Sequence, residues 1–296
     1  MPNLQRLHGH GYDLVIDVDK GASLLSLSWT RPDGRPFEVL HPCPPALPAQ
    51  NVGSFVMAPF TNRIDQGRFD LADRTVRLPQ NRPADALAIH GFSRDRAWQV
   101  LEATERTICL IDRADSNPAP FAYSLIQTVT IGPAGVDLRL ALTNEAQERL
   151  PYGFGFHPWF HKEPQTHLSF IAETAFGRDG RGFAQDPAPF AERDRFAAGI
   201  DVAALPWFDA HFSGWNARSA VIEWRATGVR MVLSATGALG NLHVYVPDDR
   251  PVLCVEPVSH VPDVHNRRAY AGFGDLTWLD PRETMTGSMR LSLRTA

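Results

Sequence analysis

Four apolar runs in this chain lead into a side chain that can hold a polar ligand or move a proton. Residues 56–60 lead to Asn62 and Arg63, residues 87–89 to His90, residues 151–156 to His157, and residues 252–255 to Glu256. Imidazoles and carboxylates are the usual general acids and bases, so His90, His157 and Glu256 are candidates for proton transfer. Asn62 and Arg63 are candidates for ligand hydrogen bonds. A rigid apolar strand is a suitable mount for such groups, because packing fixes where they point. Glu256 is the most informative of them. Val252, Leu253, Cys254 and Val255 are apolar on both faces, the pattern of a strand covered on both sides. A carboxylate at the end of such a strand is partly desolvated, which raises its pKa. Each residue also has a purely structural reading: a rim carboxylate paired with an arginine for Glu256, a salt bridge for Arg63, a core histidine for His90 and for His157.

The elements that carry these groups read as strands. Residues 151–161, PYGFGFHPWFH, put Tyr152, Phe154 and Phe156 on one face and Gly153, Gly155 and His157 on the other. Glycine within a strand marks a close approach of ligand or backbone, or a bulge. Pro158 lacks an N–H and is expected to end regular pairing, leaving His157 at the rim of a cleared space. Alternation predicts further strands over 12–18, 23–29, 220–224, 229–234, 242–246 and 289–293. Hairpins are predicted over 68–71 with 74–78, over 98–103 with 107–111, and over 123–131 with 136–142, the last turning at residues 132–135. Residues 41–49 are proline-rich loop. Residues 177–206 are rich in Gly, Pro, Asp and Arg and read as a long excursion with at most one short helix near 190–198, the kind of loop that often carries function.

Composition limits the class. A chain of 296 residues with 24 prolines and 22 glycines favours many short strands over long helices. No repeat or linker divides it, so one β-rich domain over residues 1–296 is expected. A net charge of −4 offers no basic surface for nucleic acid or an anionic membrane. No run spans a bilayer, and the first residues lack the apolar stretch of a signal peptide. The three cysteines (Cys43, Cys109, Cys254) suggest no disulfide framework, and Cys109 and Cys254 sit in apolar runs as core residues. A cytoplasmic location is expected.

Other chemistries are poorly supported. His157 and His161 have the spacing of paired metal ligands on a helix, and Asp209 and His211 could join them, but no HExxH accompanies them. There is no GxSxG elbow and no P-loop. Trp159, Trp207 and Trp215 can pack against sugar rings or fill the core.

Asn62-Arg63, His90-Gly91, His157-Pro158-Trp159-Phe160, Asp209-x-x-Phe212 and Glu256-Pro257 resemble, in order and approximate spacing, the motifs of the aldose 1-epimerases, or galactose mutarotases. The resemblance runs from about residue 21 to the C-terminus. It implies an all-β fold, a large antiparallel β-sandwich (supersandwich) with an open cleft. It implies His157 as general acid and Glu256 as general base, with Arg63, His90 and Asp209 holding sugar hydroxyls and Asn62 and Trp159 contributing. The implied reaction opens an aldose ring and recloses it on the other face, with the acid and base on opposite sides of the cleft. It needs no metal or cofactor, and the partner is a small-molecule sugar met by a monomer or homodimer. Family members often carry Tyr where Trp159 stands. Arg94 and Arg96 keep open the related hexose-6-phosphate epimerases, whose arginines hold phosphate. A non-catalytic carbohydrate-binding β-sandwich is the competing class, and it would need no matched acid and base. For activity near neutrality, the nearby carboxylates are expected to raise the imidazole pKa of His157.

Overall fold

A computed structural model describes residues 2–43, 53–115, 120–187 and 191–296 of the protein. Two large antiparallel sheets dominate the described residues. The first runs, strand by strand, Leu4–Gly9, Tyr12–Asp17, Ser23–Thr30, Gly53–Met57, Gly155–His161, Val252–Val258, Asn241–Val246, Phe208–Ser213 and Thr174–Phe176, with Pro36–Glu38 added beside Ser23–Thr30. The second runs Gln99–Ala103, Thr107–Asp115, Ala122–Gly132, Gly135–Asn144, Thr284–Thr295, Val229–Gly237, Ser219–Trp224, Thr166–Phe170 and Ile200–Asp201. The fold is the expected all-β sandwich of large antiparallel sheets.

Period-2 patterning explains how the layers meet. In Val252–Val258, Leu253 and Val255 enter the main core, where they join Val56, Phe156 and Val244 of the same sheet and Leu125, Leu140, Met231 and Leu291 of the other. Val252, Cys254, Glu256 and Val258 therefore face away from the partner sheet, and they are buried too. This is the strand covered on both sides that its composition predicts. Tyr152, Phe154 and Phe156 are buried in the core as expected. At about 25 cal/mol per Å² of apolar surface, each such ring contributes on the order of 3 kcal/mol or more to the fold.

Four expectations need correction. Pro158 does not end its strand. Gly155–His161 continues through it, with Pro158 opposite Ser54 on one side. The spaces beside Gly153 and Gly155 are not open to a ligand. A Cβ on Gly153 would lie 2.2 Å from His260 Cδ2, and one on Gly155 would lie 2.8 Å from the Pro257 carbonyl oxygen. These glycines admit neighbouring chain, which is their other recognised use. The excursion over 177–206 is more ordered than expected: it holds the helix Ala191–Ala198, the short strand Ile200–Asp201 and a 3-10 turn at Val202–Ala204. Phe190, at the start of the predicted helix, and positions 44–49 of the predicted proline-rich loop lie outside the described residues. Leu4–Gly9 and Pro36–Glu38 are strands that alternation did not reveal. Cys254 is buried, but Cys109 is half-exposed in an outer face of its sheet. No helix among the described residues is long and apolar enough to cross a membrane.

Candidate active site

The site is built on two rows of residues that cross five neighbouring strands of the first sheet, one residue from each of the five. Residues directly opposite in antiparallel strands share a face. Gly155–His161 and Val252–Val258 pair with Gly155 opposite Val258 and Trp159 opposite Cys254, a register that sets His157 opposite Glu256. The ladder lapses between those pairs, where Pro158 and Pro257 each lack an N–H. On its other side His157 faces Phe55, while Glu256 faces His243 and His243 faces His211. The first row is therefore Phe55, His157, Glu256, His243, His211. Two residues along lies the second: Gly53, Trp159, Cys254, Tyr245, Asp209. Of these, Phe55, His157, Glu256, His243, Trp159, Tyr245 and Asp209 line a cavity of about 360 Å³, within the range of small-ligand clefts.

Packing fixes the imidazole of His157. Its ring stacks between Phe55 at 4.6 Å and Trp159 at 5.1 Å, and His90 meets it edge-on at 5.1 Å. Its Nε2 lies 3.4 Å from Glu256 Oε1, and its Nδ1 has no hydrogen-bond partner in the protein. Both side chains are almost wholly buried. The acid and the base of the expected mechanism thus sit side by side on one floor, not across the cleft from each other.

Asn62, Arg63 and His90 enter from a small two-stranded ribbon, Arg63–Asp65 with Leu87–Ile89, in which Arg63 pairs with Ile89. Asn62 and His90 both adopt left-handed backbone, with φ of 54° and 60°. They bond to each other: the His90 amide donates to the Asn62 carbonyl at 2.8 Å, and the Asn62 amide donates to His90 Nδ1 at 3.3 Å. Gly91 holds the turn against the preceding segment, since a Cβ there would fall 1.9 Å from the Ala58 carbonyl oxygen. Asn62 Oδ1 accepts a bond from Arg63 Nη1 at 3.1 Å and so aims the guanidinium.

Asp209 also lines the cavity. Its Oδ1 accepts from His243 Nε2 at 2.9 Å, and its Oδ2 pairs with Arg178. A carboxylate has about four lone-pair sites, so a ligand hydroxyl can still be accepted. His243, Tyr245, Phe55, Arg82, Arg178 and Arg250 line the cavity and were not singled out from the sequence. Arg94 is in the cavity, but Arg96 is not: its Nε bonds Asp112 at 2.7 Å. Trp207 stands half-exposed at the cavity, whereas Trp215 is core.

Burial sets the charge states. It pushes the Glu256 carboxyl well above its ordinary value, opposed by the Arg63 guanidinium. It pushes the His157 imidazole well below its ordinary value, helped by His243 and Arg94. This corrects the expectation of a raised imidazole: the ring is sealed between Phe55 and Trp159, and desolvation is the largest cause of the lowering. His90 is held neutral for the same reason. His161 and His211 do not join His157 and Asp209 in a ligand set. Among the described residues, His157, Cys254 and Glu256 bring potential ligand atoms within 4.8 Å of one another. Burial raises the Cys254 thiol as well, so two of the three hold protons that a metal would have to displace.

Residues 7–292 match the family model for aldose 1-epimerase. The uncharacterized protein YphB of Escherichia coli K12 is 27% identical over 303 residues, covering 95% of this chain and 96% of its own. The crystal structure of a candidate aldose 1-epimerase from the same organism superposes with a TM-score of 0.88 at 26% identity, with full coverage of both chains. A galactose mutarotase-like protein from Clostridium acetobutylicum shares the fold, with a TM-score of 0.85 at 20% identity over 98% of this chain and 95% of its own. With the family model spanning nearly the whole sequence, the chain belongs to the aldose 1-epimerase family.

Proposed function

We propose that the protein interconverts the α and β anomers of an aldose by opening and reclosing the sugar ring. The observation that carries this reading is the placement of His157 opposite Glu256, 3.4 Å apart on the floor of a polar cavity. Ring opening takes a proton from the anomeric hydroxyl and gives one to the ring oxygen. Both oxygens are bonded to the same carbon, so two groups side by side reach both. Glu256 takes the hydroxyl proton and His157 protonates the ring oxygen. The C–O bond to the ring breaks, the aldehyde end turns, and closure runs the same transfers backwards. Each positioned group contributes typically 10²–10⁴ in rate. Arg63, His90 and Asp209, with Asn62 and Trp159, hold the rest of the sugar while C1 turns.

The carboxylate–imidazolium pair that starts this sequence and the neutral pair favoured by burial hold the same single proton. They interconvert by one transfer between Glu256 and His157. A carbohydrate-binding module would need the aromatic and polar lining but not this opposition. Polarimetry on freshly dissolved α-anomers, over a panel of free and phosphorylated aldoses, tests the reading. At least one optical rotation should reach equilibrium faster with protein than without. If none does, the cavity binds sugar without anomer exchange.

A further inference from the structure

Two residues before Arg63, the chain is tied to a histidine outside the cavity. His260 is fully buried and does not line the cavity. Its Nε2 accepts from the Thr61 amide at 3.0 Å, and its Nδ1 donates to the Val261 carbonyl at 2.9 Å. Each partner has one role, since an amide N–H only donates and a carbonyl oxygen only accepts. The proton is therefore on Nδ1, and Nε2 is the bare acceptor. Burial lowers the ring to about 4, opposed by the Val261 carbonyl and by Asp275, so the acceptor is kept at neutral pH.

The tie falls where the site needs one. Asn62 holds left-handed backbone, which a residue with a Cβ keeps only when its surroundings enforce it. The backbone bonds of Asn62 and Arg63 stay local, to His90, to Asn62 Oδ1 and to Ile89 across the ribbon. The Thr61 amide instead reaches the chain that leaves Val252–Val258, the strand of Glu256. His260 is anchored on both sides there. The Ser259 amide donates to the Phe154 carbonyl and the Val261 amide to the Gly274 carbonyl, each at 3.0 Å. One segment thus fixes Glu256 directly and Arg63 through Thr61. Gly153 makes room for the ring, since a Cβ there would lie 2.2 Å from Cδ2 and 2.6 Å from Nε2 of His260. The space beside that glycine is taken by this imidazole.

We propose that His260 is a positioning residue for anomer exchange: through the Thr61 amide it sets the turn at Asn62 that aims the Arg63 guanidinium at the bound sugar. This rests on the anomer-exchange reading and adds to it a residue outside the cavity. The neutral ring suits the task because it offers a donor at Nδ1 and an acceptor at Nε2, on opposite sides of one rigid plane.

The test contrasts two substitutions of the ring. In His260→Asn the side-chain amide can still donate to the Val261 carbonyl but is too short to reach Thr61. In His260→Gln the longer side chain brings a carbonyl oxygen to the place of Nε2. Anomer exchange is followed by NMR exchange spectroscopy on galactose, glucose and their 6-phosphates. Binding is measured by calorimetry with the matching 1,5-anhydro sugars, which cannot open. His260→Asn should raise KM and the calorimetric Kd roughly tenfold, the scale of one hydrogen bond to a charged group, with kcat little changed. His260→Gln should stay near wild type. Gly153→Ala presses on Nε2 from the other side. It should reproduce the His260→Asn result, and it carries the test if His260→Asn does not fold. In an Arg63→Ala background either substitution should add almost nothing, because both act through one contact. Equal losses in His260→Asn and His260→Gln, or the same factor with and without Arg63, would overturn the proposal and leave the ring a packing role only. Weakened calorimetric binding in His260→Asn, with no exchange of any sugar by the wild type, would keep the role of His260 and remove the anomer-exchange reading.

Discussion

Glu256 and His157 share one proton, and burial moves their affinities for it in opposite directions, up for the carboxyl and down for the imidazole. The one-proton form lies between the pair's two titrations, the lower one depressed by burial of the imidazole and the upper one raised by burial of the carboxyl. Its neutral arrangement outweighs its charged one. The rate should therefore follow a broad bell in pH. On the acid side a second proton enters the pair, and on the alkaline side the last one leaves. Both limbs describe the pair and not one residue. Glu256→Gln keeps the shape of the side chain but cannot take a proton, and His157→Asn cannot give one. Each should lower the exchange rate by roughly 10²–10⁴ while a non-opening 1,5-anhydro sugar still binds. A His157→Asn variant with near wild-type turnover would assign the acid to another residue. The same two groups sit beside the Cys254 thiol, so the role of metal can be settled directly. Exhaustive chelation should leave exchange unchanged. Loss of activity restored by one divalent ion would make His157, Cys254 and Glu256 a metal centre instead.

At the scale of elements, the turn Asn62–Arg63 and the turn His90–Gly91 position half of the candidate site without belonging to either large sheet. Gly91 and Gly228 give a controlled comparison, because both have φ near +67° but only Gly91 is crowded. A Cβ at Gly228 meets nothing within 4 Å, whereas at Gly91 it overlaps the Ala58 carbonyl. Gly228→Ala should cost about 1 kcal/mol of left-handed strain. Gly91→Ala should cost several times more in urea denaturation and weaken sugar binding by displacing His90. Equal losses would mean that Ala58 yields freely. The sequence showed these turns because a polar group following an apolar run is a local signal. It showed Glu256 because four apolar residues in succession imply cover on both faces. It did not show His243 or Tyr245, because alternation tells which face a residue takes but not which neighbour it meets. That needs the register, in which His243 lies opposite Glu256. Arg178 follows the edge strand Thr174–Phe176 and enters the cavity from an irregular segment with no periodicity to read. Pro158 misled because a missing N–H was taken to end a strand, when it only opens a gap in one ladder.

Across the molecule, among the described residues, buried histidines with lowered values outnumber buried acids with raised ones. His90, His157, His211 and His265 are pushed well below their ordinary value by burial, His243 to about 3 and His260 to about 4. Both ring nitrogens of His211 and of His265 lack partners. Well above pH 6.5 these rings are neutral folded or unfolded and contribute nothing to pH dependence. Below it the unfolded chain takes up protons that the folded chain refuses, so stability falls as pH falls. Each histidine contributes about 1.4 kcal/mol per pH unit in that window. Glu256 and Asp263 act the other way. Their folded values are raised, Asp263 to about 6, so the folded chain gains protons before the unfolded chain does. More rings are lowered than acids are raised, so the net effect is a loss of stability as pH falls below about 6. With a total stability of roughly 5–15 kcal/mol, acid unfolding should be steep. The contribution of one ring can be isolated at His265, which packs against Phe60 and Phe69 and does not line the cavity. His265→Phe should flatten the dependence of urea-unfolding free energy on pH between 6.5 and 5 by about one proton. An unchanged slope would show that His265 takes up its proton in the folded state, so that the burial of its ring does not govern the acid limit of the fold.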